Sequence, residues 1–230
     1  VDILIFAVIA AFLVFKLHSV LGSKPGNDER QRPNPFNSDN APQPAKATAP
    51  QPLKHQRPVL PLAPIDLGQM VDTEANKDGR IEEGLADIIS ADAGFEINGF
   101  MQGARYAFET IVKSYAKGDL PALEPLLSEK LYRDFKAGVV AREEQGHTSD
   151  VTIHRIKSAR LTDARLGGTM AYITVSFEVE ETTVTRDRAG AIVTGNPDEI
   201  TTIEDVWTFT RDVRSADPNW ILIETRAVEK

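Results

Sequence analysis

At 230 residues with no cysteine and 26% charged residues, the chain has the make-up of a globular protein of one or two domains, and disulfides, thiol catalysis and cysteine-based zinc sites are excluded. The formal net charge is −8. Residues 1–80 carry nine Lys/Arg against eight Asp/Glu and residues 81–230 carry seventeen against twenty-six, so the second part is acidic, which argues against a nucleic-acid-binding domain.

The first stretch, VDILIFAVIAAFLVFKL, holds thirteen consecutive apolar residues from Ile3 to Phe15 and is extended by Leu17, Val20 and Leu21. Roughly twenty residues are needed to cross a bilayer. Lys16 can carry its amine to the interface, however, so residues 1–24 are expected to form a transmembrane anchor rather than a buried helix. Asp2, with no Lys or Arg before it, does not fit the basic start of a signal peptide. From Lys16 to Pro64 there are seven Lys/Arg and three Asp/Glu, and the positive-inside rule then places the C-terminal part in the cytoplasm. Residues 25–64 contain ten of the fourteen prolines, too little apolar content to offset ordering entropy, so residues 25–70 read as a disordered Pro-rich linker.

The stretch EANKDGRIEEGL, Glu74 to Leu85, resembles a calcium loop until its twelfth position, where Leu85 replaces the bidentate Glu such a loop requires. It reads instead as a helix start, with Asn76 or Asp78 accepting backbone N–H bonds before Ile81. Ile81, Leu85, Ile88 and Ile89 repeat at helical spacing. A second stripe of Phe100, Ala104, Phe108, Ile111, Val112 and Tyr115 stops near Lys117-Gly118-Asp119, and Asp119 with Pro121 opens a short turn. Ser128 caps a third helix carrying Leu131, Phe135 and Val139 up to Gly146.

Beyond Gly146 the period changes to two. A strand is expected over Val151 to Ile156, continuing towards Leu161, and another where Ala171, Ile173, Val175, Phe177 and Val179 alternate with polar residues. Thr182 to Arg186 and Ile192 to Thr194 flank the turn RAGA, and ITTIEDVWTFTRD and NWILIETRA complete the sheet across Asp217-Pro218-Asn219. Helices followed by a meander of strands is an α+β pattern, here helices on a curved antiparallel sheet over residues 71–230.

Several stretches together resemble a known family. GARYAFETIVKSYAKGDLPALEPLLSEKLYRDF, the pattern DxWTFxRD from Asp205 to Asp212, and DPNW from Asp217 to Trp220 are similar to the Tim44-like domain, and an apolar start with a Pro-rich spacer resembles its alphaproteobacterial members. The resemblance implies a nuclear transport factor two-like cone, a bacterial inner-membrane location and a scaffold role. The mitochondrial member of the family brings a heat-shock chaperone to a protein channel and contacts anionic lipid, and another relative helps anchor the mitochondrial ribosome. The long charged N-terminal region through which the mitochondrial scaffold meets its chaperone has no counterpart here, so that activity is not carried over.

Among candidate sites, alternation along β-type sequence puts Asp205 on the face of Ile203, Trp207 and Phe209. A buried carboxylate there is either a general base in a cavity lined by Tyr115, Phe177, Asp205 and Trp207, or a structural acceptor for a Trp or Tyr donor or for Arg105. Arg155, Lys157, Arg160 and Arg165 form the one cationic concentration in the acidic part, read as a solvated edge or as a contact for anionic headgroups or an acidic partner. His154 reads as a rim residue, and Phe95, Phe100 and Met101 as core packing or an apolar entry to the cone. Gly167-Gly168 carries no phosphate chemistry. No catalytic residue, cofactor or metal is expected. The function expected is a single-pass, non-enzymatic adaptor tethering a protein partner to the inner membrane, with translocation machinery or a chaperone as the type of partner; the alternatives are an anionic-lipid-binding module and a small enzyme using Asp205.

Overall fold

A computed structural model describes residues 70–228. The anchor expected over residues 1–24 and the linker up to residue 69 lie outside the described residues, among which no helix is long and apolar enough to cross a membrane. In chain order the elements are α1 (Arg80–Ala91), α2 (Ile97–Lys117), α3 (Leu120–Leu123) running into a 3-10 turn at Glu124–Leu126, α4 (Glu129–Glu144), β1 (Thr148–Gly167), β2 (Met170–Arg186), β3 (Ile192–Gly195), β4 (Thr201–Asp212) and β5 (Ile221–Ala227). The architecture is α+β, with helices packed on an antiparallel sheet of order β1-β2-β4-β5 and β3 also paired to β2.

The chain enters this body along the outer edge of β1. The Leu161 N–H donates to the Met70 carbonyl at 2.7 Å and the Asp72 N–H donates to the Leu161 carbonyl at 2.8 Å. Asp72 Oδ1 then accepts from the N–H groups of Glu74 and Ala75, each at 3.0 Å, which turns the chain towards α1. Asn76 Oδ1 accepts from the Ile81 N–H at 3.0 Å and Asp78 Oδ1 from the Arg80 N–H at 3.4 Å, so both expected capping residues serve the helix start. Of the side chains that a calcium loop would aim at an ion, Asn76 and Asp78 are here engaged with the loop's own backbone and Glu74 pairs with Lys77.

α1 buries Ile81, Gly84, Leu85 and Ile88. At Gly84 the helix meets β1 so closely that a Cβ would fall 1.8 Å from the Ala164 carbonyl oxygen. A larger residue must push the helix off the strand, and backbone cannot yield as a flexible side chain would. Gly84→Val is therefore expected to destabilise the domain by about 1–3 kcal/mol through overpacking; an unchanged urea midpoint would mean that α1 does not dock there.

α2 buries Phe100, Met101, Ala104, Phe108 and Ile111 and ends at Gly118, whose φ of 74° lies in the left-handed region suited to a helix stop. Asp119 accepts from the Ala122 N–H at 3.2 Å, so the short turn expected there is one turn of helix. Ser128 Oγ accepts from the Leu131 N–H at 3.3 Å, and Leu131, Phe135 and Val139 are the buried stripe of α4.

The strands are longer than their sequence pattern suggests. β2 is continuous through Glu180 and Glu181, where two separate segments were expected, because alternation carries on with Glu181 at an inward position. β1 extends from Thr148 to Gly167 and contains three irregularities, between Ile153 and Arg155, Ile156 and Ser158, and Leu161 and Asp163. Each irregularity resets which residues face the helices. Ala171, Ile173, Val175, Phe177 and Val179 on β2 and Trp207 and Phe209 on β4 are all buried and form the floor of the core. The other face is polar: Thr174 and Thr208 hydroxyls lie 3.0 Å apart, and Ser176 Oγ donates to Glu204 Oε1 at 3.3 Å.

Candidate functional site

Where α2 crosses the sheet, three rings fill the interior. The Phe108 centroid lies 4.7 Å from that of Phe177 and 4.6 Å from that of Trp207, and Phe177 lies 5.9 Å from Trp207. Asp205 stands directly opposite Phe177 in the β2–β4 pairing and is 6% exposed. Its hydrogen-bond partner is the Trp207 side chain, a Trp donor rather than Tyr115 or Arg105. Burial pushes its carboxyl up to about 7, against the opposing Trp207 hydrogen bond.

Sequence reasoning missed the second member of this site. Glu181 lies on the same strand face as Phe177 and Val179, is 1% exposed, and accepts a hydrogen bond from Thr183 Oγ1 at 2.9 Å through Oε1. Its Oε2 is buried with no partner among the described residues. Burial pushes this carboxyl up to about 7; the Thr183 hydrogen bond opposes the shift and the nearby Asp205 carboxylate adds to it. The alternation Ile173, Val175, Phe177, Val179 points straight at position 181, and extending it by two residues would have found the group.

Tyr115 is held elsewhere. Its ring is 5.0 Å from Phe135, and the Arg142 guanidinium lies 5.2 Å above it while donating to the carbonyls of Tyr115 at 2.7 Å and Ala116 at 3.0 Å. Burial pushes the Tyr115 hydroxyl upwards and Arg142 opposes this. Gly138 gives the ring room, since a Cβ there would sit 2.4 Å from the hydroxyl oxygen. Tyr115 thus joins α2 to α4, while Phe177, Asp205 and Trp207 stay together beneath Phe108.

Phe95, Phe100 and Met101 are all buried. Phe100 stacks edge-on against Trp220 at 4.8 Å and against Phe209 at 5.9 Å, and Phe95 lies 5.8 Å from Trp220, which closes an entry at this end. An ion pair absent from the sequence reading seals it: Arg211 on β4 binds Asp92 at the end of α1 and lies 5.6 Å over the Trp220 ring.

The four cations of β1 face away from the helices, opposite the polar positions of β2. Arg155 pairs with Glu180 at 3.1 Å, Lys157 with Glu178 at 2.8 Å, and Arg165 lies 3.7 Å from Asp163 and 4.0 Å above the Tyr172 ring. Arg160 is exposed beside Ser176. Much of the positive charge is therefore balanced within the sheet. His154 is exposed, with Nε2 2.9 Å from Thr182 Oγ1. Among the described residues no group of three or more His, Cys, Asp or Glu is placed to hold a metal ion.

A family model for the Tim44-like domain matches residues 81–227, from the first turn of α1 to the end of β5. The chain belongs to the Tim44-like domain family. It is 21% identical over 222 residues to an uncharacterised protein of Rickettsia prowazekii (strain Madrid E), covering 96% of this chain and 95% of that one. It is 25% identical over 154 residues to a Caenorhabditis elegans protein described as a probable mitochondrial import inner membrane translocase subunit, covering 65% of this chain but only 36% of the worm protein. Among solved structures, the intermembrane space region of chloroplast protein ARC6 aligns at 14% identity with a TM-score of 0.40, covering 56% of this chain and 97% of that one; at that level the fold rests on the elements described above.

The two buried carboxyls are expected to make the stability of this Tim44-like domain depend on pH. A carboxyl whose pKa is higher folded than unfolded holds more protons when folded, so stability is greatest below the unfolded value and is lost as pH rises through the folded one. For Asp205 and Glu181 that window runs from their ordinary 3.8 and 4.5 to about 7. The unfolding free energy should accordingly fall between about pH 5 and about pH 8, by an amount on the order of a few kcal/mol, and the urea midpoint should fall with it. Asp205→Asn should flatten the profile. A midpoint that is level or rises across this range in the unaltered protein would contradict the burial of ionisable groups described here.

Proposed function

We propose that the chain is a non-enzymatic adaptor, anchored in a bacterial inner membrane by residues 1–24 and spaced from it by the linker 25–70, whose Tim44-like domain from residue 71 onward holds a protein partner on the cytoplasmic side. The family match over residues 81–227 carries this reading, and the likeness to a protein described as an import translocase subunit supports a translocation-related partner. The way the helices lie on the sheet is consistent with a nuclear transport factor two-like cone. In such a cone an enzyme would need an open cavity, and here Phe108, Phe177 and Trp207 fill the space while Asp205 is buried. The enzyme alternative is accordingly disfavoured.

The partner surface we assign is the uncovered face of β1, with Arg155, Lys157, Arg160 and Arg165. The intrastrand and cross-strand pairs leave this row less suited to a lipid headgroup layer than to a partner able to compete with Glu178, Glu180 and Asp163 for the same cations. Affinity recovery of tagged full-length protein after mild crosslinking in membranes tests the adaptor reading. One membrane-associated protein partner should return reproducibly, with recovery reduced in an Arg155→Glu, Arg160→Glu variant. Recovery of the chain with lipid alone would overturn the adaptor reading in favour of the lipid-binding alternative.

A further inference from the structure

Glu181 and Asp205 share one face of adjacent strands, both buried, and no described cation neutralises them. Several basic groups on the neighbouring elements are used elsewhere or face away. On β1, Arg155 and Lys157 bind Glu180 and Glu178 on the opposite face. Lys113 of α2 binds Glu109 at 2.8 Å, and Arg142 of α4 is spent on the Tyr115 and Ala116 carbonyls. On β5, Arg226 and Glu224 stand opposite Val206 and Thr208, which alternate with the inward Asp205 and Trp207. Among the described residues, the ionisable group acting on Glu181 is the Asp205 carboxyl. Two unpaired carboxylates in an apolar interior are costly, whereas neutral carboxyls are tolerated.

Glu181 also stands at a structural junction. It pairs with Thr201, the first residue of β4, at the last rung of the β2–β4 ladder. The residue after it ties down the connection that follows β3, since the Thr182 hydroxyl donates to the Glu199 carbonyl at 2.8 Å, while the Thr183 hydroxyl donates back along β2 to Glu181 Oε1. Gly195 lies so close to this stretch that a Cβ would sit 2.1 Å from the Thr183 carbonyl oxygen, with a φ of 88° that favours glycine. Glu181 is 1% exposed, and the hairpin beside it carries the exposed Ile192, Val193 and Ile200.

The geometry points to a proton-operated latch: the buried Glu181 carboxyl holds a proton that keeps residues 187–201 closed on β2, and release of that proton to solvent opens the hairpin without unfolding the core that encloses Asp205. Closure needs no ligand beyond the proton, and the charge left behind is stabilised by the water that enters. This inference stands independently of the adaptor reading.

The test is hydrogen exchange read by mass spectrometry on the full-length protein in detergent micelles at about pH 6 and about pH 8, with labelling times scaled to the intrinsic exchange rate. Protection of amides in residues 187–203 should fall by ~10-fold or more, a tenfold change for each pKa unit crossed, while α2 and β5 keep theirs. Glu181→Gln should remove the pH dependence of the hairpin and Asp205→Asn should reduce it. A carboxylic-acid infrared band in the unaltered protein, present at the lower pH and lost through neutrality, reports the proton even if a variant fails to fold. The latch is refuted by hairpin protection that does not change with pH, by full pH dependence persisting in Glu181→Gln, by equal loss of protection in every element, or by absence of the band at the lower pH.

Discussion

Replacing Phe108 by alanine is expected to remove about 3–5 kcal/mol of unfolding free energy, the largest effect of any single truncation in the domain. Phe108 has no exposed surface and packs against Phe177 of β2 and Trp207 of β4, so one ring joins α2 to two strands. Its removal takes away the apolar burial of a full aromatic side chain and leaves a cavity that the rigid strand floor cannot collapse to fill. Phe108→Leu should cost less, since most of the volume is kept. Equilibrium urea unfolding followed by tryptophan fluorescence reads both changes, and Trp207 should become more exposed in the alanine variant. A loss below about 1 kcal/mol would mean that α2 is not seated over the sheet as described.

Asp92→Ala should be nearly as damaging, by about 3–5 kcal/mol. Asp92 and Arg211 are only 17% and 12% exposed, so removing the carboxylate leaves a guanidinium in a poorly hydrated position, with the Trp220 face as its remaining partner. The pair joins the C-terminal end of α1 to β4, and Asp92 Oδ1 also accepts the Gly94 N–H at 3.0 Å, which shapes the turn into α2. The double variant Asp92→Ala, Arg211→Met should recover part of the loss, because the stranded charge is gone. A double-mutant cycle measures this, and a coupling energy near zero would show that the two side chains act independently. Because the pair is screened by protein rather than by solvent, the coupling should change little with added salt.

Both predictions depend on relations between elements, and that is where reading the chain in one dimension stopped. The stripe carrying Phe108 was legible because residues three and four apart on a helix share a face. The capping roles of Asn76, Asp119 and Ser128 and the stop at Gly118 were legible for the same reason, since each acts within a few residues of its own position. Asp205 was placed on the inward face by alternation within one strand, and its Trp207 partner lies only two residues away. The continuity of β2 was hidden because a charged residue at an inward position looks like the end of a strand, although the backbone ladder runs on regardless of side-chain polarity.

The amino-acid sequence by itself determined the α+β class, the helical stripes with their caps, the inward position of Asp205 and the family resemblance, all of which depend on local spacing or on motifs within single elements. Only the tertiary structure decided which charges meet. It paired Arg155 and Lys157 with glutamates on β2, brought Arg211 to Asp92, moved Tyr115 away from Trp207 to Phe135, and left Glu181 without a cation beside Asp205. The physical reason is that cross-strand register, reset three times by irregularities in β1, and the seating of helices on the sheet set distances between residues far apart in the chain. Electrostatic partnership depends on those distances and on burial, neither of which a linear pattern contains.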